Sequence, residues 1–186
     1  MKQLGKLLGF VQDHPLVVTS IMAVLVAAHA LLTGFAAIPN VWVALMDPAR
    51  ADPIASLCLG IAGSSSLVGG FAGVIIIFGL ESSSARFRLF RAGGGKALQA
   101  NWVSTMASAF TAVGLCLIAA LLATAKELIT VPWLIEMALG LLIHATVRMI
   151  WLMRRLMHLV KLEDAKSIDE SNVKPIPPFG RKRTNG

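Results

Sequence analysis

The sequence predicts an all-α integral membrane protein, a bundle of four transmembrane helices with both termini in the cytoplasm. Of the 186 residues, 56% are hydrophobic and only 15% are charged, and the mean hydropathy is +0.73. Soluble domains carry about a quarter charged residues. A chain this apolar is suited to a bilayer, where a helix satisfies its own backbone hydrogen bonds.

Four long runs lack Asp, Glu, Lys and Arg, apart from Glu136 in the last of them. They cover residues 14–46, 53–80, 97–125 and 128–147. About 20 helical residues cross the roughly 30 Å hydrocarbon layer, so each run is long enough for one span. The predicted spans are residues 16–37, 54–80, 98–125 and 131–153, within a transmembrane domain of residues 16–160.

Polar segments flank this domain. Residues 1–15 are mildly amphipathic and are predicted to be a cytoplasmic or interfacial segment. Residues 161–186 carry prolines and end on a basic run, which predicts a flexible cytoplasmic tail. A cleaved signal peptide is an alternative for the first span, because lysines precede an apolar run that contains Ala28-His29-Ala30. Asp13 and the length of the run favour a retained span.

The distribution of basic residues sets the predicted orientation. Most of the 17 Lys and Arg residues fall before the first span, between the second and third, and after the middle of the fourth. The two remaining loops hold only Arg50 and Lys126. Basic loops stay on the cytoplasmic side, so the sequence predicts an N-in/C-in protein of the cytoplasmic (inner) membrane.

The tryptophans agree with this orientation. Trp42 and Trp133 flank spans on the predicted outer side, and Trp102 and Trp151 flank them on the inner side. Tryptophan is enriched at both membrane–water interfaces.

The second span is rich in glycine and serine. Ser65, Gly69 and Gly73 form a stripe of small residues at four-residue spacing. Small residues let helices approach closely in a bilayer. The stripe is therefore a predicted helix-packing interface, either inside the bundle or with another chain.

The middle loop combines basic and aromatic residues. The predicted docking loop for anionic head groups or a cytoplasmic partner consists of Arg86, Phe87, Arg88, Phe90, Arg91 and Lys96. Arginines attract lipid phosphates and the aromatic rings insert at the boundary. The glycines before Lys96 do not have the spacing of a phosphate-binding loop, which excludes that reading.

The third span is polar along one face of its inner half. Ser104, Ser108 and Thr111 share this face. Hydroxyls in a span bond across helices or to their own backbone, so they predict helix–helix contact, with a hydrated path as the alternative.

The fourth span carries ionisable groups at four-residue spacing. Glu136, His144 and Arg148 follow one another with Gly140 between the first two. Together with His29 of the first span, they form a predicted intramembrane polar cluster. Buried ionisable groups in a membrane are functional candidates, although a hydrogen-bonded structural cluster is the simpler interpretation.

No residue pattern points to catalysis, a metal or a cofactor. Cys58 and Cys116 both fall inside spans, where thiols behave as small hydrophobic groups. Paired acids, metal-ligand spacing and a nucleophile motif are missing from the sequence. The expectation is a non-enzymatic protein without cofactor or metal.

These features favour a structural or assembly subunit of a multi-protein inner-membrane complex. A secretion or conjugation apparatus is one such setting, by analogy of architecture. The expected partners are anionic lipids on the cytoplasmic side and other membrane proteins or further copies of the chain, without nucleic acid. The alternative is a small homo-oligomeric proton or ion channel or a membrane-permeabilising protein.

Overall fold

The computed structural model describes residues 15–81 and 85–172, and its regular elements are helical. The elements in chain order are α1 (Pro15–Gly34), short 3-10 turns at Val43–Leu45 and Pro48–Arg50, α2 (Ala51–Glu81), α3 (Ala85–Thr124) and α4 (Val131–Asn172).

Among the described residues, four helices are long and apolar enough to cross a membrane, which confirms the predicted number of spans and the all-α class. The qualifying segments are Val17–Gly34, Pro48–Phe78, Ala100–Thr124 and Val131–Leu162. The chain is therefore a multi-pass membrane protein by length and composition of its helices.

Two helices run beyond the spans that the charge-free runs predicted. α3 begins at Ala85, ahead of the predicted residue 98, and α4 continues to Asn172, into the segment predicted as a flexible tail. A charge-free run marks the part of a helix that can lie in hydrocarbon, whereas charged helix formers such as Arg, Lys and Glu let a helix extend beyond it. In α3 even Gly93, Gly94 and Gly95 do not interrupt the helix. The predicted N-terminal segment up to residue 14 and the tail from residue 173 lie outside the described residues.

The core is formed by α2, α3 and α4. α3 packs most extensively, against α2 on one side and α4 on the other. From residue 105 onward its buried positions are small: Thr105, Ser108, Ala109, Ala112, Cys116, Ala119, Ala120 and Ala123. Small side chains bring helix backbones close together, which is how helices gain contact in a bilayer. Larger buried residues of α4, Ile135 and Leu141, fill the space that these alanines leave.

α1 lies at the edge of this core. It packs mainly on α4 and secondarily on α3. In its apolar segment Val17–Gly34 the share of buried residues is 0%. Partly covered residues recur at helical spacing, at Thr19, Met22, Val26 and His29, and mark the one side that faces the bundle.

α1 and α3 end in the same way. Ala36 and Lys126 adopt left-handed backbone conformations, with φ of 54° and 62°. In the following residues the N–H of Ala37 donates to the carbonyl of Leu32, and that of Glu127 to Leu122, both at 2.9 Å. This is the six-to-one bond that closes many helices, here without the glycine that usually occupies the left-handed position.

Candidate functional site

His29 of α1 and Glu136 of α4 form a polar pair between their helices. His29 Nδ1 lies 2.9 Å from both Oε1 and Oε2 of Glu136. The two side chains are 23% and 26% exposed, so both are partly covered. A ring N–H that donates to a carboxylate gives a charge-assisted bond, which is stronger than a bond between neutral groups. The pair therefore attaches α1 to the bundle at one point.

The loop between α1 and α2 completes this site. The Asn40 side chain accepts a bond from the backbone N–H of Trp42 at 2.9 Å, which fixes the turn. Trp42 Nε1 then donates to Glu136 Oε2 at 3.1 Å. The Trp133 ring meets the His29 ring edge-to-face, with centroids 5.3 Å apart. We call His29, Trp42, Trp133 and Glu136 the outer polar site, a name that follows the predicted orientation.

Arg148 lies away from the outer polar site. Its Nη1 donates to Asn101 Oδ1 of α3 at 2.6 Å. Twelve residues separate it from Glu136, about 18 Å along the helix. Arg148 was predicted to belong to one polar cluster with His29 and Glu136, but the structure places it at the α3–α4 contact.

His144 lies between these two contacts. Its Nε2 is covered and makes no hydrogen bond within the described part of the chain. His29 bonds to Glu136, eight residues away from His144, so the structure does not show the two imidazoles as a pair. The predicted four-residue cluster is thus divided into the outer polar site, a covered histidine and an Arg148–Asn101 contact between α3 and α4.

The geometry of the α-helix explains this division. Four residues advance a helix by about 40° more than one turn, so a stripe at four-residue spacing winds around the axis. Glu136 faces α1, and a side chain added at Gly140 would meet Met22 of α1. Three such steps carry Arg148 about 120° around the helix, to the side that α3 occupies.

A groove of about 340 Å³ lies between α1, α3 and α4, and its lining is mainly apolar. Ser104, Ser108 and Thr111, which the sequence placed on one face, all line it, together with Thr19 of α1. The sequence pattern did not single out Thr19, and it placed Trp42 at the membrane interface without indicating its bond to Glu136. Each contributes through a contact between elements distant in the chain, for which a single sequence carries no signal.

The predicted small-residue stripe of α2 packs inside the chain. Ser65 is completely buried. A Cβ added at Gly69 would lie 3.3 Å from Ala109 Cβ, and one at Gly73 would lie 3.6 Å from Met106 Cε. We call these three residues the packed face of α2. They bring α2 against α3, so the stripe serves the bundle itself.

A second set of small residues occupies the opposite side of α2. Ser56, Gly60, Gly63 and Gly70 are all exposed. A Cβ added at any of these glycines would meet nothing within 4 Å in the part of the chain that the structure describes. We call these four residues the open face of α2. Sequence reasoning missed it, although its Ser56–Gly60 spacing is the same small-xxx-small pattern.

The remaining candidates add no second site. The side chains of Arg86, Phe87, Arg88, Phe90, Arg91 and Lys96 lie outside the described ones. Cys58 and Cys116 are buried, unpaired thiols. Among the described residues, no three His, Cys, Asp or Glu side chains are arranged to hold a metal ion.

Comparison with protein-family models, with characterised proteins and with solved structures finds no match to this chain.

Proposed function

We propose that this chain is a non-enzymatic assembly subunit of a multi-protein complex in the cytoplasmic membrane. The open face of α2 is the observation that supports this proposal best. In this account, another membrane protein packs against Ser56, Gly60, Gly63 and Gly70.

The glycines of the open face lower the stability of α2 as a helix. A glycine in a helix is about 1 kcal/mol less favourable than alanine unless close packing requires it. Close packing explains Gly69, since Ala109 lies against it. No neighbour in the described chain packs in this way against Gly60, Gly63 or Gly70. A helix of another protein that packs closely against this face would explain these glycines.

The shape of the open face fits a helix. Leu59 and Leu67 are exposed at 54% and 64%. At about 100° per residue, they lie on either side of Gly63 around the helix. A shallow channel of small residues between larger apolar ones is the arrangement into which a neighbouring helix packs. Lipid tails in this channel would make fewer contacts with α2 than a packed helix would.

The proposed location in the cytoplasmic membrane and the proposed N-in/C-in orientation rest on the distribution of the basic residues. The segments assigned to the cytoplasm hold nearly all Lys and Arg residues, which is typical of N-in/C-in proteins. The basic and aromatic segment with Arg86, Arg88 and Arg91, predicted as a loop but part of α3 in the structure, would face anionic head groups or a cytoplasmic partner. A secretion or conjugation apparatus is one setting for such a subunit.

Purification in mild detergent tests the proposal. The wild-type chain is expected to retain other membrane proteins in fixed ratio. Gly60→Leu with Gly63→Leu should release them, because leucine side chains fill the channel. Gly114→Leu is the matched control, since a Cβ at Gly114 also meets nothing within 4 Å among described residues. Retention of the same proteins by the double variant would refute the role of the open face.

A second candidate is a small homo-oligomeric proton or ion channel. The observation that favours it is the outer polar site together with the four hydroxyl residues that contribute to the groove toward the other end of α1. Histidine and glutamate can pass protons, and hydroxyls can hold water. Proton flux into liposomes that is lost in Glu136→Gln, but kept in Thr33→Val, would support it. Absence of flux from the wild-type protein would exclude it.

A further inference from the structure

A separate apolar groove lies between the C-terminal part of α2 and the extended part of α4. Its volume is about 280 Å³. Apolar side chains of both helices line it: Ile75, Phe78, Met153, Met157 and Val160. Lys161 lines it as well. We call this the α2–α4 groove. It is remote from the outer polar site and from the open face of α2.

The groove lies at the boundary between hydrocarbon and head groups. Measured along α4 from Val131 at 1.5 Å per residue, Met153 is about 33 Å away and Lys161 about 45 Å away. The hydrocarbon layer is about 30 Å thick, and the layer including head groups about 40–45 Å. Met153 therefore lies near the edge of the hydrocarbon, and Lys161 at head-group level.

A row of basic residues follows the same stretch of α4, and Lys161 at its end lines the groove. Arg154, His158 and Lys161 are exposed and follow one another at spacings of four and three residues, so they share one side of α4. Each stands one position after Met153, Met157 or Val160. The next arginine, Arg155, instead stacks on the Trp151 ring at 5.0 Å. An apolar row and a basic row thus run side by side along the helix.

We propose that the α2–α4 groove binds one molecule of an anionic phospholipid. The head-group end of an acyl chain lies against the apolar lining, the rest of the chain extends past Met153 into the hydrocarbon, and Lys161 pairs with the lipid phosphate. The complementarity is twofold: the apolar lining excludes a soluble anion, and the basic row favours an anionic over a zwitterionic head group. This site is distinct from the docking loop, and it stands whether or not α2 recruits a partner protein.

Native mass spectrometry of delipidated protein tests this assignment. The protein is titrated with phosphatidylglycerol and with phosphatidylcholine of the same chain length. The wild-type protein is expected to bind phosphatidylglycerol more tightly. Lys161→Gln should weaken phosphatidylglycerol binding about fivefold, the effect of one basic residue near anionic lipid, and leave phosphatidylcholine unchanged. Lys126→Gln, at an exposed position on the other side, is the control and should change neither.

A substitution that fills the α2–α4 groove tests whether an acyl chain binds there. Met157→Trp should weaken binding of both lipids, because the larger ring occupies the lining. Glycerol phosphate, which has the phosphate but no acyl chain, should not displace the lipid. The proposal is overturned if Lys161→Gln behaves as Lys126→Gln does, if Met157→Trp binds both lipids as wild type does, or if glycerol phosphate competes.

Discussion

α2 carries small residues on two sides, and the two sides have opposite surroundings. On the packed face, Gly69 lies so close to α3 that an added Cβ would be 3.3 Å from Ala109. On the open face, Gly60 and Gly63 have empty space around them within the described chain. The contrast shows that small residues permit close approach but do not determine which partner makes it. The alanines of α3 cover the packed face, and the open face is the one proposed to pack against a helix of another protein.

The largest expected effect is on the packed face. Gly69→Leu places a branched side chain against Ala109 and Phe110, and should destabilise the fold by about 1–3 kcal/mol, as overpacking of a well-packed core does. The measurement is the free energy of unfolding in mixed detergent micelles.

The neighbouring glycine provides the control. Gly70 is on the open face, where an added Cβ meets nothing within 4 Å in the described chain. Gly70→Leu should leave the free energy of unfolding of the isolated chain unchanged or slightly raised, because leucine favours a helix more than glycine does. Equal destabilisation by both variants would remove the distinction between the faces.

The α1–α4 interface differs from both faces of α2 because polar atoms hold it together. His29→Ala leaves the Glu136 carboxylate without its 2.9 Å partner and should destabilise the attachment of α1 by about 1–2 kcal/mol. Faster backbone hydrogen exchange in α1, with unchanged exchange in α2 and α3, would show this local release.

Thr33→Val is the matched control for that experiment. Thr33 is one turn from His29 in α1, and its hydroxyl bonds to the His29 backbone carbonyl at 2.6 Å. Loss of this hydroxyl should leave the backbone hydrogen exchange of α1 nearly unchanged, because the His29 carbonyl also accepts a backbone hydrogen bond within the helix. Release of α1 by Thr33→Val alone would mean that the polar pair does not hold it.

The smallest expected effect concerns Ser65. Its Oγ is buried on the packed face and has no hydrogen-bond partner among the described residues. Ser65→Ala removes an unsatisfied hydroxyl and should be neutral or stabilise the fold by up to about 1 kcal/mol. Ser64→Ala is the reference, because the Ser64 hydroxyl bonds to the Gly60 carbonyl at 3.0 Å. Clear destabilisation by Ser65→Ala would reveal a partner for this hydroxyl.

The number of spans could be predicted from the sequence because the cost of charge in hydrocarbon leaves long charge-free runs. The positions of the helix ends could not be predicted in this way, since α4 continues through polar residues after Val160. The four-residue spacing from Glu136 to Arg148 indicated a shared face, but the winding of that stripe separates its ends. Which small-residue face of α2 is packed depends on Ala109, a residue of another helix.

The outer polar site could be predicted only in part. His29 and Glu136 stood out as ionisable groups within spans. Trp42 was predicted as an interfacial residue, and its bond to Glu136 follows from the turn at Asn40. Contacts of this kind depend on how a loop folds back over a helix, for which residue types and spacing give no sign.

The most direct test of the central claim is photo-crosslinking in native membranes. A photoreactive leucine analogue replaces either Leu67, beside the open face, or Leu121 of α3, and these leucines are similarly exposed, at 64% and 69%. If a partner helix covers the open face, the probe at position 67 gives protein adducts of defined mass, and the probe at position 121 gives mainly lipid adducts. Lipid adducts alone from both positions would contradict the assignment of the open face as an assembly surface.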